Sequence, residues 1–518
     1  MKTWDFGRLL RAPGSRVALV ALLIAFGFLG SRAIWDPDEG RYTNVALQML
    51  ASGNYLDLAR HHETGHWTKP PATYWAIAAG VSAFGPTPAA ARLPAALSFL
   101  ACTGLAGWAA RRLQPGTGAL SALVFATMLL PFVAANVITA DFPLAACQGL
   151  AMAAWLETRF GTGRERGRWL LLMWVGFALA FLVKGPPALL PLLAVLAVEW
   201  LAPAPGAIRR RCWPIGLLLF AALALPWFVV VVLRHPGLLA YYLGTEIAGR
   251  IAGADLDRHP EWYGWLSVYG PTLVVGTLPW TADLWRALRS LAAHARRWRD
   301  PAVRLAEAPL LALGAWVALP LFVFCVARSR LPFYLLPLFV PLALLVARER
   351  QARGRGFPGW RLVGLWVALL LALRLAAAYW PTHKDARRWA EEIRARTPGM
   401  AIEEVVFVED MARYGLHLHL GATVEKVSLD PQPKPMFGAA YDDDLLGELG
   451  EPERRVWIAK AARWPEIAAR MTAAGYHLER LGEPYAGRLF FLVEPADGAS
   501  GATGQPDPPE PGPESGGR

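Results

Sequence analysis

Asp36, Asp38 and Glu39, followed closely by Arg41, stand in the stretch "AIWDPDEGRYTNVALQML" (33–50), directly after the first long apolar run of the chain. Ionisable groups at the edge of such a run are costly to hold and mark function unless a helix start accounts for them. A helix start accounts for two. Asp36-Pro37-Asp38-Glu39 offers an N-cap acid, a proline at the first helical position and a second acid three residues after the cap. Asp38 is left over. With Arg41 and Tyr42 it stands at i, i+3 and i+4 on one helix face, where a carboxylate, a guanidinium and a phenol can address one bound group. The same spacing also makes an ordinary surface salt bridge.

A second stretch, "HHETGHWTKPPATYW" (61–75), places Lys69 before a rigid Pro-Pro pair. Lysine near a membrane face ordinarily snorkels to lipid phosphate. Lys69, however, has company: Lys184 in "FLVKGPPALL", Arg328 and Arg330 in "VARSRLPFYLLP", Arg250 in "TEIAGR", and Arg258 with His259 in "DRHPEWYGW". Asp141, in "NVITADFPLAA", reads either as an N-cap for the next helix or as a second carboxylate facing the same cavity as Asp38. His61, His62, Glu63 and His66 have irregular spacing that fits a solvated polar loop better than a metal site. Trp67, Tyr74, Trp75, Trp262, Tyr263 and Trp265 suit interfacial belts, and some of them could stack on a sugar ring.

The elements that must position these groups are membrane spans. The chain has 518 residues, 55% of them hydrophobic and 18% charged, with 23 Trp, which is far from a soluble domain. Apolar runs fall near 17–34, 93–110, 118–138, 142–158, 169–183, 186–202, 214–233, 264–284, 309–327, 331–348 and 360–380, about eleven spans of the usual length. The net charge of +11 is distributed in a way that argues against nucleic acid. Basic residues collect in Arg8/Arg11/Arg16, Arg111/Arg112, Arg159–Arg168, Arg209–Arg211, Arg286–Arg304 and Arg348–Arg361, on alternate loops, as cytoplasmic loops require. The amino terminus is therefore expected inside, and the first run an uncleaved anchor although "SRA" resembles a cleavage site. The 35–92 loop and the chain after Tyr379 are expected outside. Lys69, Lys184, Arg250, Arg328 and Arg330 then violate the positive-inside bias at separate places, and an anion site at the outer face explains them where orientation does not.

Within the 35–92 loop, "YTNVALQML" has helical apolar spacing and should lie flat at the interface, while "ATYWAIAAGVSAF" is too short to cross and should dip or dock. The organisation expected is a helical membrane domain (1–380), a small exported α/β domain (381–495) and a tail (496–518) disordered by composition. In the α/β domain "DARRWAEEIRART" and "WPEIAARMTAAG" read as helices, and "EEVVFVE", "RRVWIAK" and "GRLFFLVE" as strands. Cys102, Cys147, Cys212 and Cys325 are scattered through apolar segments and imply no disulfide framework.

The stretches "DPDEGRYTNVALQMLASGNY", "WTKPPATYW", "ITADFPL", "FLVKGPPALLPLL", "TEIAGR…RHPEWYGW" followed by "LPW", and "SRLPFYLLPLFVPLALL" resemble, in order and loop placement, the GT-C membrane glycosyltransferases that use polyprenyl-phosphate sugars. The resemblance is to the bacterial branch holding the aminoarabinose lipid A transferases and protein O-mannosyltransferases, and it covers roughly residues 30–350. It implies a transfer from a polyprenyl (undecaprenyl) phosphate sugar to a lipid or protein acceptor at the periplasmic face of the inner membrane. Asp38 would be the principal carboxylate, Arg41, Tyr42 and Lys69 would lie by the donor phosphate, and Asp141 would be the second acid. Thr68 stands where the aminoarabinose transferases carry a glutamate before the lysine, so no clear ligand set supports a divalent metal and no cofactor is expected. A polytopic transporter of an anionic substrate is the rival, but its polar groups would gather at the bilayer midplane, often on repeated halves. A membrane scaffold without catalysis leaves the cations on several external loops unexplained.

Overall fold

The computed structural model describes residues 12–161, 165–203, 208–249, 258–433, 435–450 and 454–496. The tail after Ala496 and Arg250 lie outside the described residues. The chain separates into two compact units: the first holds 1–387 with 413–420 and 435–439, the second 388–412, 421–434 and 440–518.

The first unit is helical. It contains α1 (Pro13–Phe26), α2 (Asp38–Ser52), α3 (Ala72–Phe84), α4 (Pro88–Leu113), α5 (Gly118–Thr127), α6 (Leu129–Ala134), α7 (Asp141–Phe160) and α8 (Arg166–Lys184). There follow α9 (Leu190–Leu201), α10 (Ile208–Arg234), α11 (Gly264–Gly276), α12 (Thr281–Arg297), α13 (Ala308–Val326), α14 (Phe339–Ala352) and α15 (Trp360–Tyr379). Among the described residues, six helical stretches are both long and apolar enough to cross a bilayer: 88–113, 166–184, 213–234, 308–326, 332–352 and 360–379. The protein is multi-pass, but several of the expected runs are not single helices. The run at 118–138 breaks at Met128 into α5 and α6. The run at 264–284 breaks between α11 and the amphipathic α12, whose last turn carries His294, Arg296 and Arg297. Hydropathy averaged over a window cannot register a break that costs no apolar residue.

Helices pack closely where small residues meet, as lipid-embedded interfaces require. A Cβ on Gly176 of α8 would lie 2.7 Å from the Ala151 backbone nitrogen of α7, so these two helices approach backbone to backbone. Phe99, Phe125, Phe142, Phe339 and Trp155 fill the core around them.

The start of α2 differs from its expected form. The helix begins at Asp38 with Pro37 before it, and no side chain caps it. Asp36 is buried and accepts the backbone N–H of Gly415 at 3.0 Å, giving an otherwise isolated loop amide its acceptor. Burial, more than any charge, pushes the Asp36 carboxyl up to about 8, against the hydrogen bond from Gly415 and the charge of Arg413. Glu39 is not a cap partner either. Its carboxylate takes bonds from Arg32 at 2.7 and 2.8 Å, from Arg92 at 3.1 and 3.0 Å, from Trp35 N at 3.0 Å and from Ile138 N at 3.1 Å. Gly40 lets this start sit against the loop, because a Cβ there would collide with the Asp36 carboxylate and lie 2.6 Å from Gly415 N. Gly40→Ala is expected to destabilise the protein by about 1–3 kcal/mol through overpacking, read as a lower midpoint of thermal unfolding in detergent; an unchanged midpoint would contradict the contact.

The second unit is a six-stranded sheet in the order β3-β2-β1-β4-β6-β5, with β1 (Glu404–Val408), β2 (Thr423–Ser428), β3 (Asp443–Asp444), β4 (Arg455–Lys460), β5 (Tyr476–Arg480) and β6 (Arg488–Pro495). β1 runs parallel to β2 and β4, and β6 antiparallel to β4 and β5. β1 is buried along its whole length, as a central parallel strand must be. α16 (Ala386–Arg396) sets Trp389 on Phe490, and α17 (Trp464–Ala473) brings Ile467 and Met471 to Val406 and Val408.

Candidate active site

The side chains singled out in the sequence converge within the first unit. Asp38, on the first turn of α2, keeps its side chain 65% exposed and accepts from Arg41 Nη2 at 2.6 Å. Tyr42, one turn along, is largely buried and stacks on Tyr74 of α3 with ring centroids 5.4 Å apart. Its hydroxyl titrates far above the ordinary phenol range, first through burial and then through the negative charges of Asp141 and Asp38. Tyr42 therefore stands as a neutral hydrogen-bonding group within electrostatic reach of both carboxylates.

Asp141 opens α7 but caps nothing; Ala140 holds the cap position. The Asp141 carboxylate instead pairs with the Lys184 ammonium from the end of α8, and Lys184 also lies 4.4 Å from the ring centroid of Tyr334. Lys69 turns its ammonium onto the Thr68 carbonyl at 2.7 Å and stands 3.8 Å from Glu246. His66 accepts or donates to the Thr68 hydroxyl at 3.1 Å and packs edge-on to Tyr74. Burial first, then the positive charges of Arg41, Arg60 and Lys69, hold His66 well below the usual imidazole range. Three cations therefore act on one imidazole beside the Tyr42–Tyr74 stack, and positive charge gathered in this way suits an anion with several oxygens.

Other residues take different places. Arg330 is buried and gives its guanidinium to the backbone carbonyls of His259, Glu261 at 3.0 Å and Cys325 at 3.1 Å, so it secures a loop instead of presenting charge. Arg328 is exposed. His61 is buried with its Nε2 3.1 Å from His62 Nδ1. Glu246, facing Lys69, went unread in the sequence, and Glu39, read there only as a helix-start acid, fastens the start of α2 to the Ile138 amide three residues before Asp141. The i+1 adjacency of Glu39 to Asp38 was the available signal for the second.

Residues 68–233 match the family described as dolichyl-phosphate-mannose-protein mannosyltransferase. Among curated proteins the chain is 30% identical over 371 residues to an undecaprenyl phosphate-alpha-4-amino-4-deoxy-L-arabinose arabinosyl transferase of Edwardsiella ictaluri, covering 68% of this chain and 63% of that one. It is 32% identical to the protein so named from Pseudomonas aeruginosa strain UCBPP-PA14, covering 68% and 64%. The chain thus spans somewhat less than two thirds of the length of these relatives. The crystal structure of ArnT from Cupriavidus metallidurans bound to undecaprenyl phosphate superposes with a TM-score of 0.73 at 20% identity, over 92% of this chain and 97% of that one. The chain shares the fold of that crystal structure. In this fold the cluster around Tyr42 and His66 is drawn from the loop before α3, the starts of α2 and α7, and the end of α8.

Proposed function

We propose that the protein is an inverting glycosyltransferase that moves a sugar from a polyprenyl phosphate carrier to an envelope acceptor. What supports this reading is the Asp38–Arg41 pair one turn from Tyr42, which stacks on Tyr74 and feels the charges of Asp38 and of Asp141, the partner of Lys184. The names of its relatives favour undecaprenyl phosphate as the carrier, aminoarabinose as the sugar and lipid A as the acceptor.

The chemistry follows from charge. The donor phosphodiester carries one negative charge, and cleavage of the anomeric C–O bond leaves a phosphate monoester with a second charge developing. Arg41 and Lys69 supply hydrogen bonds that strengthen as that charge grows, which stabilises the transition state more than the ground state. Lys184 is held ready by Asp141. Tyr42, neutral, donates to whichever oxygen lies between the carboxylates. Asp38 accepts the acceptor's proton if that group is a hydroxyl, or orients it if it is already anionic. A single displacement needs only this one base and inverts the anomeric centre. Arg328 is assigned to the rim of the same phosphate site, Arg250, as an external cation, to donor-phosphate binding, and Arg330 serves as a positioning residue.

Lys69→Ala is expected to lower both turnover and donor affinity, because its contact with the leaving group is strongest in the transition state. Steady-state assays with purified donor would read this, and unchanged kinetics would remove Lys69 from the phosphate site. The acceptor assignment is tested by mass spectrometry of lipid A and exported proteins from cells with and without the gene. A pentose-sized mass that appears on lipid A only with the protein supports it; a hexose on protein instead would favour the mannosyltransferase reading.

The topology belongs to the same proposal: about eleven crossings, amino terminus in the cytoplasm, the site and the second unit (with 381–495 as an exported domain) on the periplasmic side. A cysteine placed in the 61–66 loop or after His383 should react with an impermeant thiol reagent in spheroplasts, and one at Arg353 should not. The reverse pattern would put the site in the cytoplasm.

A further inference from the structure

The second unit buries a group of acids that the transfer reaction does not use. Glu404 at the start of β1, Glu425 on β2 and Glu448 on the short helix Leu445–Leu449 are 3%, 0% and 1% exposed, and each offers a carboxylate oxygen within 4.8 Å of the others. Arg455 on β4 reaches two of them, placing Nε 2.9 Å from Glu404 and 3.0 Å from Glu448. Glu404 is further supplied by the Thr423 hydroxyl at 2.8 Å. Glu425 is different. Among the described residues neither of its oxygens meets a hydrogen-bond donor, and it faces Glu448, another acid.

Acids crowd this place, with buried Asp442 also acting on Glu425, and a fully buried carboxylate without a donor is costly. Either protons or a divalent cation must balance them. The register of the sheet favours the second. Glu404 stands opposite Thr423 and Arg455 across the parallel strands and is bonded by both, Arg455 also reaching Glu448, while among the described residues no donor reaches Glu425. Glu404, Glu425 and Glu448 offer carboxylate oxygens. That is the preference of a hard cation, and oxygens this far apart span a calcium ion with bonds of about 2.3–2.6 Å.

We propose that Glu404, Glu425 and Glu448 form a structural site for a hard divalent cation, calcium foremost, with Arg455 as the charge-balancing neighbour. The ion ties β1, β2 and the 445–449 helix together and offsets the negative charge of the acids. The site stands whether or not the transfer reaction is as proposed, since none of its residues takes part in that chemistry.

The test uses the full chain, purified in detergent and stripped with chelator, with calcium alone added at fixed pH. Wild-type protein should bind calcium and its melting midpoint should rise by about 5 °C or more at saturation. Glu425→Gln, which keeps shape and removes the charge, should lose the rise and one equivalent of bound calcium, while Asp38→Asn should keep both. Equal responses in wild type and E425Q would place the ion elsewhere and overturn the proposal. A stripped wild-type protein whose midpoint ignores calcium and climbs as pH falls would show that protons alone balance the acids, which also overturns it. Should E425Q not accumulate, Glu448→Gln takes its place with the same two expectations.

Discussion

Asp38→Asn is expected to lower sugar transfer by about 10²-fold or more, the usual contribution of a general base, with insertion and folding unaffected. The amide keeps the size of the side chain and the first turn of α2. What is lost is the negative charge, the basicity and an ion pair with Arg41 that is too exposed to stabilise the fold by more than about 1 kcal/mol. Turnover measured against an unchanged thermal midpoint therefore separates chemistry from folding. Near-normal turnover in Asp38→Asn, with Asp141→Asn inactive, would move the base to the carboxylate now paired with Lys184.

A larger effect on stability is expected from Glu39→Gln. Arg32 and Arg92, 4% and 0% exposed, both depend on this carboxylate, and a neutral amide leaves two buried guanidiniums without a counter-charge. Breaking a buried pair in this way costs about 3–5 kcal/mol, so the variant should accumulate poorly or melt well below wild type. Burial alone would raise the Glu39 carboxyl, but the charges of Arg92 and Arg32 outweigh it and hold the group at about 2. A depressed carboxyl stabilises the fold above its unfolded value of about 4.3 and stops doing so as the pH falls through its folded value. Wild-type protein should therefore lose this contribution between about pH 4 and pH 2, and Glu39→Gln should show a smaller loss over that window. A melting point within a degree of wild type at neutral pH would mean that the two arginines find other acceptors.

The same residue illustrates what a sequence can and cannot show. Asp36-Pro37-Asp38-Glu39 satisfies the local grammar of a helix start, and the helix does begin there. The groups that claim Asp36 and Glu39, however, are 379 residues away at Gly415 and 53 and 99 away at Arg92 and Ile138. Local spacing holds no information on partners so distant, and a buried acid and a capping acid look alike along the chain. Where the signal is local the reading was close. "ATYWAIAAGVSAF" is α3 from end to end, and Pro398-Gly399 follows α16 directly. β2 and β5 went unread for opposite reasons: "TVEKVS" buries a glutamate that should mark a surface, and "YHLER" is an edge strand left mostly exposed. Lys184 and Asp141 were each singled out separately, 43 residues apart, and the structure makes them one ion pair.

The exposure of Asp38 has a kinetic consequence. A base with 65% of its side chain in solvent is reached by water as readily as by a bulky acceptor. Nothing in the first turn of α2 excludes that competitor, so on the proposed chemistry the activated donor partitions between two nucleophiles. With acceptor scarce, the protein should slowly release free sugar and carrier phosphate, and each such event discards a lipid-linked sugar. Economy of donor then depends on how densely the acceptor fills the leaflet, a property of the membrane, instead of on a closed cavity.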